Sequence, residues 1–100
     1  MAEQLEAIIA ALAGDEAITR AALVPLSGLE RAVAAQVPGL LATLPVERQR
    51  EIVESLVGEA ERSFGLDFML IYRALLNHAD PIIRRLCIEG LWEDERLDLI

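Results

Sequence analysis

The chain has 100 residues, which is enough for one domain with a modest core. Hydrophobic residues make up 54% and aromatic residues only 4%, so the core must consist of Ala, Leu, Ile and Val, a mixture that favours packed helices over a β-sandwich. The formal net charge of -8 disfavours binding to the phosphates of nucleic acids and to anionic membranes.

The sequence also indicates the cellular compartment in which the protein is expected. Cys87 is the single cysteine, so the sequence cannot hold an intramolecular disulfide. The first residues lack the basic and apolar regions of a signal peptide, and no run reaches the roughly 18 apolar residues of a membrane span. We therefore expect a cytoplasmic protein with neither a nucleic-acid partner nor a membrane partner.

Residues 1–44 predict short helices that form an atypical amino-terminal cap of a single domain over residues 1–100. Pro25 should stop the second helix, Ser27 should cap the third, and Pro38 should kink or break the third. Apolar residues at helical spacing place one face of the first helix in the core. The three helices are expected over residues 3–13, 16–24 and 28–43.

Three further helices follow, each with a recognisable start. Pro45 stands in the first turn of the fourth helix, and Asp67 can cap the fifth. Asp80 caps the sixth helix, and Pro81 takes its first position. The predicted core faces are Ile52, Val53, Leu56, Val57 and Ala60 in the fourth helix, Phe68, Ile71, Tyr72, Leu75 and Leu76 in the fifth, and Ile83, Leu86, Cys87, Gly90 and Leu91 in the sixth.

Some residues of these helices lie away from the core stripes. Arg48 and Arg50 belong to the predicted solvated face of the fourth helix, together with several glutamates. Ile82 and Ile88 lie off the buried stripe of the sixth helix. A helix with apolar residues on extra faces needs neighbours on more than one side.

The stretch LLNHADPIIRRLCIEGL, residues 75–91, resembles a HEAT repeat: an apolar helix, an Asp-Pro turn, and a second helix with an early arginine. The longer stretch AERSFGLDFMLIYRALLNHADPIIRRLCIEGLWEDE is similar to bacterial HEAT-repeat proteins, in which further repeats usually follow. The resemblance implies an all-α fold, a right-handed alpha-alpha superhelix (a HEAT-like solenoid) of about three helical hairpins. It is best over residues 45–91, and we interpret residues 92–100 as the loop and first turn of a further repeat.

The resemblance also implies a structural repeat joint made by Asp80, Pro81 and Arg84. In such repeats the turn Asp accepts backbone amides at the helix start, and the Arg one turn later reaches the Asp of a neighbouring repeat. The upstream hairpin keeps Pro45 and Arg48 but has a leucine in the place of the Asp. The ladder of ion pairs is therefore expected to be incomplete on that side.

The sequence predicts no catalytic, cofactor-binding or metal-binding site. We interpret His78 as a polar turn residue, because no nucleophile or second base completes an acid–base pair. Cys87 lies on the buried stripe and is interpreted as a small core residue. One His and one Cys are too few for a zinc site. A cluster without the residue pattern of a calcium loop is interpreted as a solvated edge: Glu89, Glu93, Asp94, Glu95 and Asp98.

The leading functional hypothesis is a non-catalytic protein–protein interaction scaffold, built from HEAT-like repeats and part of a longer array. Arg85 and Glu89 should be exposed on the second helix of a hairpin, where solenoids meet their partners. Trp92 either packs against the next repeat or anchors a partner. The expected partner is an unknown protein or further repeats of the same chain, and a homodimer through the carboxy-terminal repeat is a third form.

An alternative from another class is a HEAT-like bilin lyase-type enzyme or subunit, because some HEAT-like proteins resemble bilin lyases. For that chemistry the chain offers His78, Cys87 and Tyr72. A HEAT-like nucleic-acid enzyme ranks last, because its surface should be basic.

Overall fold

A computed structural model of the chain describes residues 2–63 and 65–98, and side chains over residues 4–63 and 65–92. Every regular element in these residues is helical, which confirms the all-helical class predicted from composition. The α-helices are α1 Ala2–Leu12, α2 Arg20–Leu23, α3 Arg31–Ala34, α4 Val37–Leu41, α5 Val46–Arg62, α6 Met69–Leu75 and α7 Pro81–Asp98, with a 3₁₀ turn at Val24–Leu26.

The segment predicted as one helix over residues 28–43 is two short helices, α3 and α4. The chain turns at Ala35 and Gln36, so the break comes before Pro38. Pro38 lies in the first turn of α4, where its missing amide hydrogen removes no helical hydrogen bond. The prediction that Ser27 caps this segment is wrong, because its Oγ accepts a hydrogen bond from the amide of Asp67 (2.8 Å).

Helix α7 packs against both α5 and α6, and these three helices form the larger part of the core. On the other side of α6 lie α3 and α4, and α1 packs on α4 and α2. The radius of gyration is 12.5 Å, close to the roughly 13 Å of a compact folded domain of this length. The fully buried side chains of α5, α6 and α7 are Ile52, Val53, Leu56, Ile71, Tyr72, Leu75, Ile83 and Cys87.

A close approach of Gly90 to Tyr72 fixes how α7 lies on α6. A Cβ atom at Gly90 would come within 2.6 Å of Cε2 of the tyrosine ring, a separation that real Cβ atoms do not adopt. The ring is 1% exposed and also makes an edge contact with Phe68, so it has little room to move. The absence of a side chain at Gly90 therefore sets the distance between the two helices.

The carboxyl-terminal stretch differs from the expected loop at residues 92–100. Helix α7 continues through Trp92 to Asp98, since no glycine or proline follows Gly90 to interrupt it. Leu99 and Ile100 lie outside the described residues. Within the described part of the chain, no helix is long and apolar enough to cross a membrane.

Candidate functional site

Helix α7 begins at a polar joint whose centre is Asp80. The Oδ2 atom of Asp80 accepts a hydrogen bond from the amide of Ile83 (3.1 Å), three residues into the sequence that follows. This is the geometry of an N-cap, and Pro81 occupies the first helical position after it. Local capping chemistry therefore fixes where α7 starts.

The joint is tied to α5 by an ion pair that the sequence did not predict. Arg50 donates from Nε to Oδ2 of Asp80 (3.0 Å) and from Nη2 to Oδ1 (2.6 Å), which is the strong bidentate arrangement. These bonds lower the pKa of the Asp80 carboxyl from 3.8 to about 2, and the Ile83 amide acts in the same direction. The bond to Asp80 likewise raises the pKa of Arg50.

His78 is part of the same joint. Its Nδ1 accepts a hydrogen bond from the amide of Asp80 (2.9 Å), so the ring proton is on Nε2, which donates to Oε1 of Gln49 (2.7 Å). Gln49 in turn donates from Nε2 to the carbonyl of Leu44 (2.8 Å). Both ring nitrogens of His78 are thus used to join the turn before α7 to the start of α5.

Arg84 lies over the turn from which α7 begins. Its Nη1 atom donates to the carbonyl oxygens of His78 (2.6 Å) and Ala79 (3.1 Å). The HEAT-repeat resemblance implied that Arg84 reaches the Asp of a neighbouring repeat. In this chain the Arg84 guanidinium instead stabilises the turn before its own helix. The Asp80 carboxylate pairs with Arg50, two residues after the arginine that the resemblance selected.

Arg48 holds the amino-terminal segment and is not part of a solvated face. Its side chain is buried, and it donates from Nε to the carbonyl of Leu12 (2.8 Å) and from Nη2 to that of Glu16 (2.7 Å). Its third nitrogen, Nη1, donates to Oε2 of Glu51 (3.3 Å). The charged-face interpretation of Arg48 is therefore wrong. An arginine that caps a distant helix has the same local sequence signal as an exposed one.

The surface side of α7 carries the residues predicted to bind a partner. Arg85, Glu89 and Trp92 are all exposed, and Ile88 lies among them. The four follow the i, i+3, i+4, i+7 spacing, so they line one stripe opposite the buried residues of the helix. The exposed fractions are 56% for Ile88 and 61% for Trp92. We call these four residues the α7 outer face. Sequence reasoning missed Ile88 as a member, although its off-stripe position was the available signal.

The three side chains that the chain offers for lyase chemistry, Cys87, Tyr72 and His78, lie in the core or in the joint and do not form one site. Burial raises the pKa of the Cys87 thiol to about 12, which disfavours the reactive thiolate. Tyr72 is in the core and His78 is in the joint. Among the described side chains, no cluster of three or more His, Cys, Asp or Glu could hold a metal ion. Of the acidic cluster, Glu89 is exposed, and the side chains of Glu93, Asp94, Glu95 and Asp98 lie outside the described residues.

Comparison with known proteins gives no relative. No protein-family model matches the chain, and neither a curated protein nor a solved structure is significantly similar to it. Any functional assignment must therefore come from the residues and their geometry.

Proposed function

We propose that this chain is a non-catalytic protein-interaction module, and that it binds its partner through the α7 outer face. The observation that carries the proposal is the exposure of Ile88 and Trp92 on adjacent turns of one helix. An isoleucine and a tryptophan that remain more than half exposed lose favourable burial, which a partner helix would supply. Tryptophan is also the residue type most enriched among binding hot spots.

The charges around this apolar pair fit an interface. Arg85 and Glu89 stand beside Ile88 and Trp92, so an apolar centre has polar groups of both signs at its border. Such a rim contributes orientation and association rate more than affinity. A partner helix laid along the stripe would meet the apolar anchors first and align its own charges with the two flanking residues.

The HEAT-like interpretation is part of the same proposal. Helices α6 and α7 form a hairpin across a short turn. Asp80 caps the start of α7, Pro81 takes the first position of that helix, and Arg84 donates to a carbonyl of the turn. A further hairpin, from the same chain or from a partner, would stack on the α7 outer face as neighbouring repeats do in a right-handed superhelix. The proposed partner is therefore a helical hairpin with its own apolar face, and a homodimer is one form of it.

Exchange of two charges tests this proposal. The double variant Arg85→Glu with Glu89→Arg keeps the net charge and reverses the rim, so it should release a partner captured by the wild-type chain. The matched control is Arg62→Glu with Glu59→Arg, an exchange of a neighbouring pair on α5. The control should retain the partner, and circular dichroism should show both variants folded.

The single tryptophan gives a direct second measurement. Because Trp92 is exposed in the free chain, its fluorescence emission should shift to shorter wavelength when a purified partner covers α7. A partner that binds equally well to both charge-exchange variants, without a shift in emission, would show that the α7 outer face is not the binding surface.

The described residues offer no observation that favours the bilin lyase-type alternative. A lyase needs a nucleophile or an acid–base pair beside a cavity for the tetrapyrrole. Here the Cys87 thiol is buried and the two nitrogens of His78 are engaged by Asp80 and Gln49.

A further inference from the structure

A second surface of the chain lies away from α7, in a groove of about 370 Å³ between α3 and α6. We call it the α3–α6 groove. Two exposed arginines, one from each helix, line it, and its half-buried floor consists of Leu70 and Ala74. No residue of α7 up to Trp92 is among those that line it. The lining residues are Arg31, Ala35, Leu70, Arg73 and Ala74.

The two arginines of the groove are available for a partner. Arg31 and Arg73 are exposed, and the ion pairs among the described side chains involve Arg48, Arg50 and Arg62 instead. In a chain of net charge -8, two guanidinium groups that form no ion pair with a described side chain, beside one apolar floor, make a local site of opposite sign. Guanidinium groups bind carboxylates in a bidentate manner and stack on aromatic rings.

The chemistry that fits this groove is present on the α7 outer face. Glu89 supplies a carboxylate for a guanidinium, Trp92 supplies an aromatic face for the other, and Ile88 supplies an apolar side chain for the floor. The part of the α7 outer face from Ile88 to Trp92 is therefore complementary to the groove in charge and in apolar character, and Arg85 lies about two turns before Trp92 on the same stripe.

We infer that the chain associates with a second copy of itself head to tail, with the α7 outer face of one copy seated in the α3–α6 groove of the next. This inference rests on the proposed function, since it names the partner of the same α7 surface. The two surfaces are different, so the interface is heterologous and each copy in a pair keeps one unused surface. Assembly then continues with concentration, or closes into a ring.

Sedimentation velocity over micromolar to millimolar concentration tests the assembly. The wild-type chain should form species larger than a dimer. A groove variant, Arg31→Glu with Arg73→Glu, and a face variant, Glu89→Ala with Trp92→Ala, should each raise the dissociation constant roughly tenfold or more and sediment as monomers. A charge-matched control, Arg20→Glu with Arg62→Glu, should assemble like the wild type.

The decisive measurement is the equimolar mixture of the groove variant and the face variant. The groove variant keeps an intact α7, and the face variant keeps an intact groove, so one productive interface remains. The mixture should form a one-to-one dimer that does not grow further. The combined reversal Arg31→Glu, Arg73→Glu and Glu89→Arg should also regain assembly, because the charges are again opposite.

The other results overturn the inference and are distinguishable from failure of the proposed function. A wild-type chain that stays monomeric at millimolar concentration overturns the inference alone, while capture of a different partner by α7 still supports the proposed function. A groove variant that dimerises while the face variant does not would show a symmetric α7–α7 contact. If none of these variants weakens assembly, the inference is overturned and α7 has no role in self-association.

Discussion

At the scale of single residues, Gly90 shows how one missing side chain determines a helix contact. The sequence placed Gly90 on the buried stripe of the last helix, and that prediction is confirmed by its burial. The sequence did not reveal that Tyr72 occupies the space where a Cβ atom would be, at 2.6 Å from Cε2. Gly58 is a natural comparison, since its added Cβ would meet only the end of the Arg62 side chain at 3.4 Å.

Replacing Gly90 with alanine should therefore destabilise the protein. Overpacking against a buried ring costs about 1–3 kcal/mol, and at this separation we expect the upper part of that range. The gain in helix propensity is about 1 kcal/mol, so the net loss should be about 1–2 kcal/mol. Urea unfolding at neutral pH measures it. The control Gly58→Ala should raise the free energy of unfolding by up to about 1 kcal/mol, and equal stabilisation by both alanines would contradict the steric explanation.

At the scale of elements, the start of α5 organises the molecule. Arg48, Gln49 and Arg50 point about 100° apart around the helix, so three consecutive side chains reach both the end of α1 and the joint at the start of α7. Arg48 reaches the end of α1, Gln49 reaches Leu44 and His78, and Arg50 reaches Asp80. The sequence marked this stretch as a helix but not as a junction, because all its partners except Leu44 and Glu51 lie about 30 or more residues away and leave no local signal.

The Arg50–Asp80 pair should make stability depend on pH in acid. The pKa of Asp80 is lowered to about 2 in the folded chain, so its contribution is fully present above its ordinary pKa of 3.8. That contribution is lost as the pH falls toward 2. Asp80→Asn keeps a good N-cap residue and removes the charge, so the variant should be less stable at neutral pH.

The difference in free energy of unfolding between wild type and Asp80→Asn should shrink as the pH falls from about 5 to about 2. Urea unfolding over this pH range measures it. Arg50→Met should remove the same pH-dependent difference, and the double variant should lose little more than either single variant. Parallel stability curves for wild type and Asp80→Asn would show that the ion pair does not lower the pKa of this carboxyl.

Elements differ in how far the sequence could predict them. The starts of α5 and α7 were predictable, because Pro45, Asp80 and Pro81 act on their own neighbours. The residues between Ser27 and Leu44 were not, since helices of four or five residues are set by tertiary contacts and not by propensity. The bond from the Asp67 amide to Ser27 joins residues that are 40 positions apart.

At the scale of the whole molecule, the composition predicted the helical class but not how α1 joins the rest of the chain. Helix α1 meets it through apolar contacts, with α4 and α2, and through one buried arginine of α5. Arg48 is 9% exposed and satisfies the carbonyls of Leu12 and Glu16, which follow or end α1. The arginine therefore supplies hydrogen-bond donors to carbonyl groups at and beyond the end of α1, which have no partner within that helix.

Removing these donors should loosen the amino-terminal segment before the rest of the protein. Hydrogen bonds from a charged donor contribute about 1.5–3 kcal/mol each, so Arg48→Met, which keeps part of the apolar stem, should cost about 2–4 kcal/mol. Hydrogen exchange should accelerate in α1 and α2 more than in the buried turns of α5, α6 and α7. The control Arg62→Met removes an exposed pair and should change stability by less than about 1 kcal/mol. If hydrogen exchange accelerates equally in all helices, α1 and α2 unfold together with the rest of the protein. Arg48 would then contribute only to the global free energy of unfolding.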